Sequence, residues 1–282
     1  MNTHVLTLSC PDQPGIVAAV SNEIARGGGN ILESAQYGDA ETGQFCMRVC
    51  FELADHERID SVRDRIGAAA PGFGMRWSLH AADDVPKVLI MVSRQLHCLV
   101  DLLYRTQVGE LKIDIVGVVS NHRDAYQLVA SHNVPFHHLP VTPDNKDEQE
   151  QALLKLVQQH EVEFIVLARY MQILSPAVCA ELEGRVINIH HSFLPGFKGA
   201  RPYHQASARG VKLIGATAHY VTVDLDEGPI IEQDVTRVTH ADDVGRLVAL
   251  GREVEQRVLA RTVRYQSEHR IVLNGDKTIV FA

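Results

Sequence analysis

Val186-Ile187-Asn188-Ile189-His190-His191-Ser192-Phe193-Leu194-Pro195-Gly196-Phe197-Lys198-Gly199 is the most informative run of the 282-residue chain. An apolar strand runs into an Asn and a His two residues apart. Side chains alternate across a strand, so Asn188 and His190 share one side. Open α/β sheets bind their ligands beyond the carboxyl ends of the strands, which is where this pair falls. Further along, Gly215-Ala216-Thr217-Ala218-His219-Tyr220-Val221 adds a second His. Asp224-Leu225-Asp226-Glu227-Gly228-Pro229 then adds a carboxylate before a Gly-Pro turn. Taken singly, these residues also suit packing and turns.

The elements on either side fit a layered α/β unit. Val88 to Val92, Ile113 to Val119 and Phe164 to Leu167 are apolar runs of strand length. Helical periodicity lies between them, near Leu96 to Arg105, Asp124 to Ser131 and Glu148 to His160. Continuous apolar strands separated by helices imply a mainly parallel sheet covered on both faces. After Leu213 the pattern changes to antiparallel strands and then one long helix, from about Asp242 to His269. The run Asp144 to Glu150 is charged and is expected to be a solvated helix start.

Residues 1–82 form a separate pattern. A strand over His4 to Ser9 leads through Pro11-Asp12-Gln13-Pro14-Gly15 into a helix with Ile16, Val17, Val20 and Ile24 at helical spacing. Gly27-Gly28-Gly29 ends that helix. Ile31 to Tyr37 is a second strand. From Phe45 to Leu53 every odd position is apolar, the mark of a strand with one buried face. A helix around Ile59, Val62 and Ile66 and a strand with Met75, Trp77 and Leu79 complete the order β-α-β-β-α-β, a ferredoxin-like arrangement. The short acidic stretch His80 to Pro86 marks the boundary, with 83–282 as the second domain.

The bulk composition narrows the function. Hydrophobic residues make up 45% and charged residues 22%, a globular balance. A net charge of −8 argues against nucleic acid as a partner. No apolar run approaches bilayer length and no leader is visible, so membrane association is not expected and the expected location is the cytoplasm. The five cysteines, Cys10, Cys46, Cys50, Cys98 and Cys179, are odd in number and have no CxxC spacing, which argues for buried reduced thiols. Pro135-Phe136-His137-His138-Leu139-Pro140 invites a metal reading, but adjacent histidines on a strand point to opposite faces. No metal site is expected.

The spaced motifs of residues 186–229, together with Leu167-Ala168-Arg169-Tyr170-Met171-Gln172-Ile173-Leu174-Ser175-Pro176, resemble the folate-dependent formyltransferases across nearly all of residues 87–282. That group includes phosphoribosylglycinamide formyltransferases, methionyl-tRNA formyltransferases and formyltetrahydrofolate deformylases. The resemblance implies Asn188, His190 and Asp226 as the catalytic residues. Asp226 rather than Asp224 has the family's spacing to Gly228-Pro229. The resemblance further implies a folate pocket lined by Tyr170, Met171, Gln172, Ile173, Leu174, Ile189, His219, Val221, Thr222 and Leu225. His138 is expected near that site. No cofactor is implied, because the folate is the substrate.

Within this group the chain is most similar to the deformylases. Glycinamide transferases need a glycine-rich loop after the first strand to hold a phosphorylated acceptor. Val92-Ser93-Arg94-Gln95-Leu96-His97-Cys98-Leu99 contains no glycine. The expected backbone cradle is therefore missing and water is the expected nucleophile. The implied activity is hydrolysis of 10-formyltetrahydrofolate, which would supply formate to purine synthesis and balance the one-carbon folate pool. A formyltransferase acting on an unrecognised acceptor, and a non-catalytic amino-acid or folate sensor, remain alternatives. The front domain resembles an ACT module at Asp12, Pro14, Gly15, Asn30 and Ile31. This implies a small amino-acid effector and a homo-oligomer, dimer or tetramer. A dimerisation module with no ligand is the alternative reading.

Overall fold

The protein is described by a computed structural model over residues 2–54, 58–196 and 202–282. Phe197, Lys198 and Gly199 of the motif quoted above lie outside the described residues. The chain divides into two compact units. One comprises Met1–Asp84 with Glu268–Ala282, and the other Val85–Ser267.

In the first unit the order is β1 (Asn2–Pro11), α1 (Ile16–Arg26), β2 (Gly29–Asp39), β3 (Gln44–Leu53), α2 (Ile59–Phe73) and β4 (Arg76–Ala81). The four strands form an antiparallel sheet in the order β2-β3-β1-β4. The helices bury Ile16, Val20, Ile24, Val62 and Ile66 against Leu6, Leu8, Met47, Val49 and Phe51 of the sheet. The apolar positions recur every three or four residues on the helices and every second residue on the strands, so both stripes meet in one core.

Seven strands make the sheet of the second unit. Its elements are β5 (Lys87–Val92), α3 (His97–Gln107), β6 (Asp114–Ser120), α4 (Tyr126–Ser131), β7 (Phe136–His138), α5 (Lys146–Gln159), β8 (Phe164–Leu167), α6 (Pro176–Glu181), β9 (Val186–His190), α7 (Pro202–Arg209), β10 (Leu213–Tyr220), β11 (Ile230–Arg237) and α8 (Val244–Ser267). The strand order is β11-β10-β9-β8-β5-β6-β7. Strands β9 to β7 along this order pair in parallel, while β10 and β11 are antiparallel additions. This is an α/β fold with a mostly parallel central sheet. Strand β5 is buried from Val88 to Val92, as a strand covered on both faces must be.

Three expectations need correction. The second domain does not run on to residue 282. Strands β12 (Ile271–Asn274) and β13 (Lys277–Val280) form a hairpin that belongs to the first unit, so the second unit ends at Ser267 rather than at 282. Second, β3 does not have one wet face: Cys46 and Arg48 are buried as well as their odd-numbered neighbours. The hairpin supplies the cover, with Val272, Phe281 and Ile279 packing around Cys46 and Ala35. Arg48 donates to the His269 and Glu268 carbonyls and to the Glu33 carboxylate. Third, the charged run opening α5 is not wholly solvated. Glu150 is buried on the stripe of Leu153 and Val157 and accepts from the Ser175 backbone N–H.

Candidate active site

The ends of three adjacent strands set the geometry. Asn188 on β9 lies beside Leu167 of β8 and opposite His219 of β10. Opposed residues on neighbouring strands share a face. The Asn188 amide nitrogen accordingly sits 3.2 Å from His219 Nε2. His219 Nδ1 is 2.9 Å from the Tyr220 carbonyl oxygen, which can only accept. Nδ1 therefore carries the proton of this bond, which leaves Nε2 facing the Asn188 amide. That contact fixes the amide's orientation and leaves its second N–H for another partner. A register shift at Ala218/His219 marks an irregularity in β10 at this point, as is common beside functional sites.

Asp226 reaches the same place from the loop between β10 and β11. Its backbone is left-handed, with φ at 57°. Its Oδ1 lies 3.3 Å from His190 Nδ1 and 3.7 Å from His219 Nε2. Hydrogen bonding to His190 first, and to His219 second, holds the Asp226 carboxyl well below the usual carboxylate range. Asp224, the rival carboxylate, is exposed and pairs with neither imidazole among the described residues. His190 Nε2 is buried and finds no hydrogen-bond partner among the described residues. Behind it, burial and the charges of Arg169 and His190 push the His191 ring down to about 4, so it is neutral at neutral pH.

These groups open onto a cavity of about 380 Å³. Asn188, His190, His219 and Asp226 line it, as does every residue assigned above to the folate pocket, including Tyr170, Met171, Gln172, Ile173 and Leu174. Burial, with the Glu150 charge second, pushes the Tyr170 hydroxyl up to about 12, so it stays protonated. The volume and the mixture of apolar walls with a few convergent polar groups suit a small organic ligand. His138 does not line this cavity. It stands on β7, where its Nδ1 faces the Arg123 Nε.

Several supporting residues were not read from the sequence. Ser93 accepts from the Met171 backbone N–H and donates to Asn121, bracing the loop after β8. Thr217 links the Ser192 carbonyl to the Leu194 N–H. Glu255, only 1% exposed, accepts from Tyr203 and pairs with His97 Nε2 at 2.7 Å, with Arg169 Nε at 3.5 Å. A signal for Glu255 existed: it lies on the apolar stripe of α8 with Gly251 and Val258. His97, Cys98 and Glu255 approach closely enough to suggest a metal. However, burial holds the Cys98 thiol protonated, and the Arg169 guanidinium would stand beside any cation there. The cluster reads as a hydrogen-bonded network.

The proposed effector residues do not converge within one chain. Asp12, Pro14 and Gly15 precede α1, whereas Asn30 and Ile31 follow its far end. Asn30 donates to Glu52.

Comparison with known proteins gives a consistent outcome. A family model described as formyl transferase matches residues 86–263. A Bacillus subtilis protein named formyltetrahydrofolate deformylase is 50% identical over 278 residues, covering 98% of this chain and 93% of that one. A crystal structure of formyltetrahydrofolate deformylase from Burkholderia mallei is 52% identical, covers both chains completely and superposes with a TM-score of 0.96. The glycinamide ribonucleotide transformylase 1 of Symbiobacterium toebii is more distant. It is 28% identical with a TM-score of 0.65, over 70% of this chain and 95% of that one.

Proposed function

The chain belongs to the formyltetrahydrofolate deformylase family, and from that premise we propose that it hydrolyses 10-formyltetrahydrofolate to formate and tetrahydrofolate. The observation that carries this reading is the convergence of Asn188, His190 and Asp226 on one cavity. Attack of water on the formyl carbon creates a tetrahedral oxyanion. The free N–H of Asn188 serves as its donor, a role worth about 3–4 kcal/mol of barrier. Asp226 accepts a hydrogen bond from the water and aims its oxygen at the carbon. The carboxylate that His190 and His219 keep ionised is a poor resting place for a proton. It therefore relays the proton instead of storing it. As the C–N10 bond breaks, N10 takes up that proton and tetrahydrofolate leaves. Such acid–base assistance contributes roughly 10²–10⁴-fold.

No metal or redox cofactor enters this scheme. The residues of the 170–174 loop and Val221, Thr222 and Leu225 hold the pterin. The front unit acts as an ACT-like regulatory module, a reading supported by its βαββαβ order and by the left-handed Gly15 opening α1. Because Asp12 and Asn30 lie at opposite ends of α1, a small amino-acid effector would need a second copy to complete its site, and a homo-oligomer follows. The enzyme works in the cytoplasm and its formate feeds purine synthesis.

The test is a product assay. The purified chain, given 10-formyltetrahydrofolate and no acceptor, should release formate and tetrahydrofolate in equal amounts. Dependence of turnover on added glycinamide ribonucleotide, with formyl transferred to it, would instead make the chain a transferase.

A further inference from the structure

The hydrolytic reading gives work to His190, yet hydrogen bonds hold its ring thinly. Its Nδ1 meets Asp226 Oδ1 at 3.3 Å, a long contact for a charge-assisted pair. Its Nε2 is buried and finds no hydrogen-bond partner among the described residues. The torsion that turns an imidazole is broad, so packing must set what hydrogen bonds leave open. The ring packed on it is His191. The two centroids are 5.0 Å apart and the planes are inclined by 26°, a stacked pair. Consecutive residues of a strand point to opposite faces, so neighbours cannot stack while the chain stays extended. Strand β9 ends at His190, and the bend that follows brings the two rings together. We propose that His191 is a positioning residue for the hydrolysis, whose ring face, and not its nitrogens, keeps the His190 imidazole turned with Nδ1 towards Asp226. The inference rests on the proposed hydrolysis.

The surroundings of His191 suit that task. It lines the cavity beside His190. Its ring also meets the Tyr203 ring, 6.4 Å away and tilted by 45°. Tyr203 is anchored by its hydroxyl, which donates to Glu255 Oε1 at 2.8 Å. A chain of contacts thus runs from the buried Glu255 on α8 through Tyr203 and His191 to His190 and Asp226. The His191 ring is uncharged at neutral pH, because burial first, and then the Arg169 and His190 charges, push it down to about 4. A neutral ring can lie against His190 without repelling positive charge that forms there. What the stack protects is Asp226. The hydrogen bond from His190 is the first cause of that carboxyl's depression. A His190 ring that turns away withdraws this bond, and the carboxylate that aims the water loses its fixed place.

Steady-state hydrolysis by the full chain tests this with three substitutions, each measured where circular dichroism shows the variant folded. His191→Ala removes the ring, and His191→Leu fills its space without a flat face. Both should lower kcat by about tenfold, the upper end of what an aromatic pair contributes, and leave KM within about twofold of wild type. His191→Phe restores a ring face without nitrogens and should return kcat to within about threefold of wild type. If His191→Ala does not fold, His191→Leu against His191→Phe decides. Wild-type kcat in His191→Ala, or in His191→Leu, overturns the inference. So does a His191→Phe as slow as His191→Leu, because the nitrogens would then be at work. A loss confined to KM overturns it too, by making His191 a contact for the folate. Wild-type protein that releases no formate overturns the hydrolytic reading and this inference with it, a result that no comparison among the variants can imitate.

Discussion

Asn188 does two jobs that a substitution can separate. As a strand residue it pairs with β8 and β10 through its backbone, and any residue that tolerates a strand can do that. As a donor it depends on an amide whose orientation His219 fixes. Asn188→Ala should therefore keep the fold while kcat drops by roughly 10²–10³-fold, the usual loss for one oxyanion donor. Steady-state kinetics alongside circular dichroism would check this, and a folded variant with unchanged kcat would remove Asn188 from the mechanism. That Asn188, His190 and Asp226 line one cavity was foreshadowed in the sequence by the resemblance to the folate-dependent formyltransferases, which rests on local motifs at a strand end and before a Gly-Pro turn. Arg169 and Glu255 were not. Each meets its partners only across the tertiary structure, since His97, Arg169, Tyr203 and Glu255 come from four different segments of the second unit.

Turns and helix contacts determine whether those residues arrive in place. Gly228 follows Asp226 in the loop before β11, and a Cβ there would overlap the Tyr220 carbonyl oxygen. The overlapped atom is backbone, so the loop itself must move. Gly228→Ala should lower kcat and cost about 1–3 kcal/mol of stability, the range for forced overpacking. Gly251 on α8 poses a related case, where a Cβ would overlap the Tyr203 ring. Gly251→Ala should displace Tyr203 from Glu255 at a similar cost, read by urea unfolding. Most elements followed from periodicity, including β1 to β4 and the parallel strands. The hairpin β12–β13 did not, because Ile271 to Val280 is short and its apolar residues gain meaning only against Cys46 and Ala35 of the front sheet. Glu150 escaped for the same reason. Its charge masked a position on the buried stripe of α5.

Across the whole molecule, two half-buried imidazoles tie stability to pH. Burial, with neighbouring charges second, lowers both His191 and His269 to about 4 from the ordinary 6.5. Between those values the unfolded chain binds more protons than the folded one, so stability rises with pH across the window. It should be fully present above pH 6.5 and drain away as the pH falls towards 4. Thermal unfolding from pH 7.5 down to 4.5 should show Tm falling steadily below pH 6.5, and a flat Tm would contradict these burials. One imidazole lies in each unit, so both units should lose stability. The thiols behave in the opposite sense. Burial raises Cys10, Cys46, Cys50, Cys98 and Cys179, so the native chain should react slowly with thiol reagents until it is unfolded.

Asp226→Asn in the acceptor-free assay tests the central claim most directly. The substitution keeps the size of the side chain and removes the charge that faces His190 and His219. Formate release from 10-formyltetrahydrofolate should fall to background, while folate binding and the circular dichroism spectrum stay close to wild type. Wild-type formate release from a correctly folded Asp226→Asn would contradict the account, because hydrolysis would then have to run without the carboxylate that aims the water.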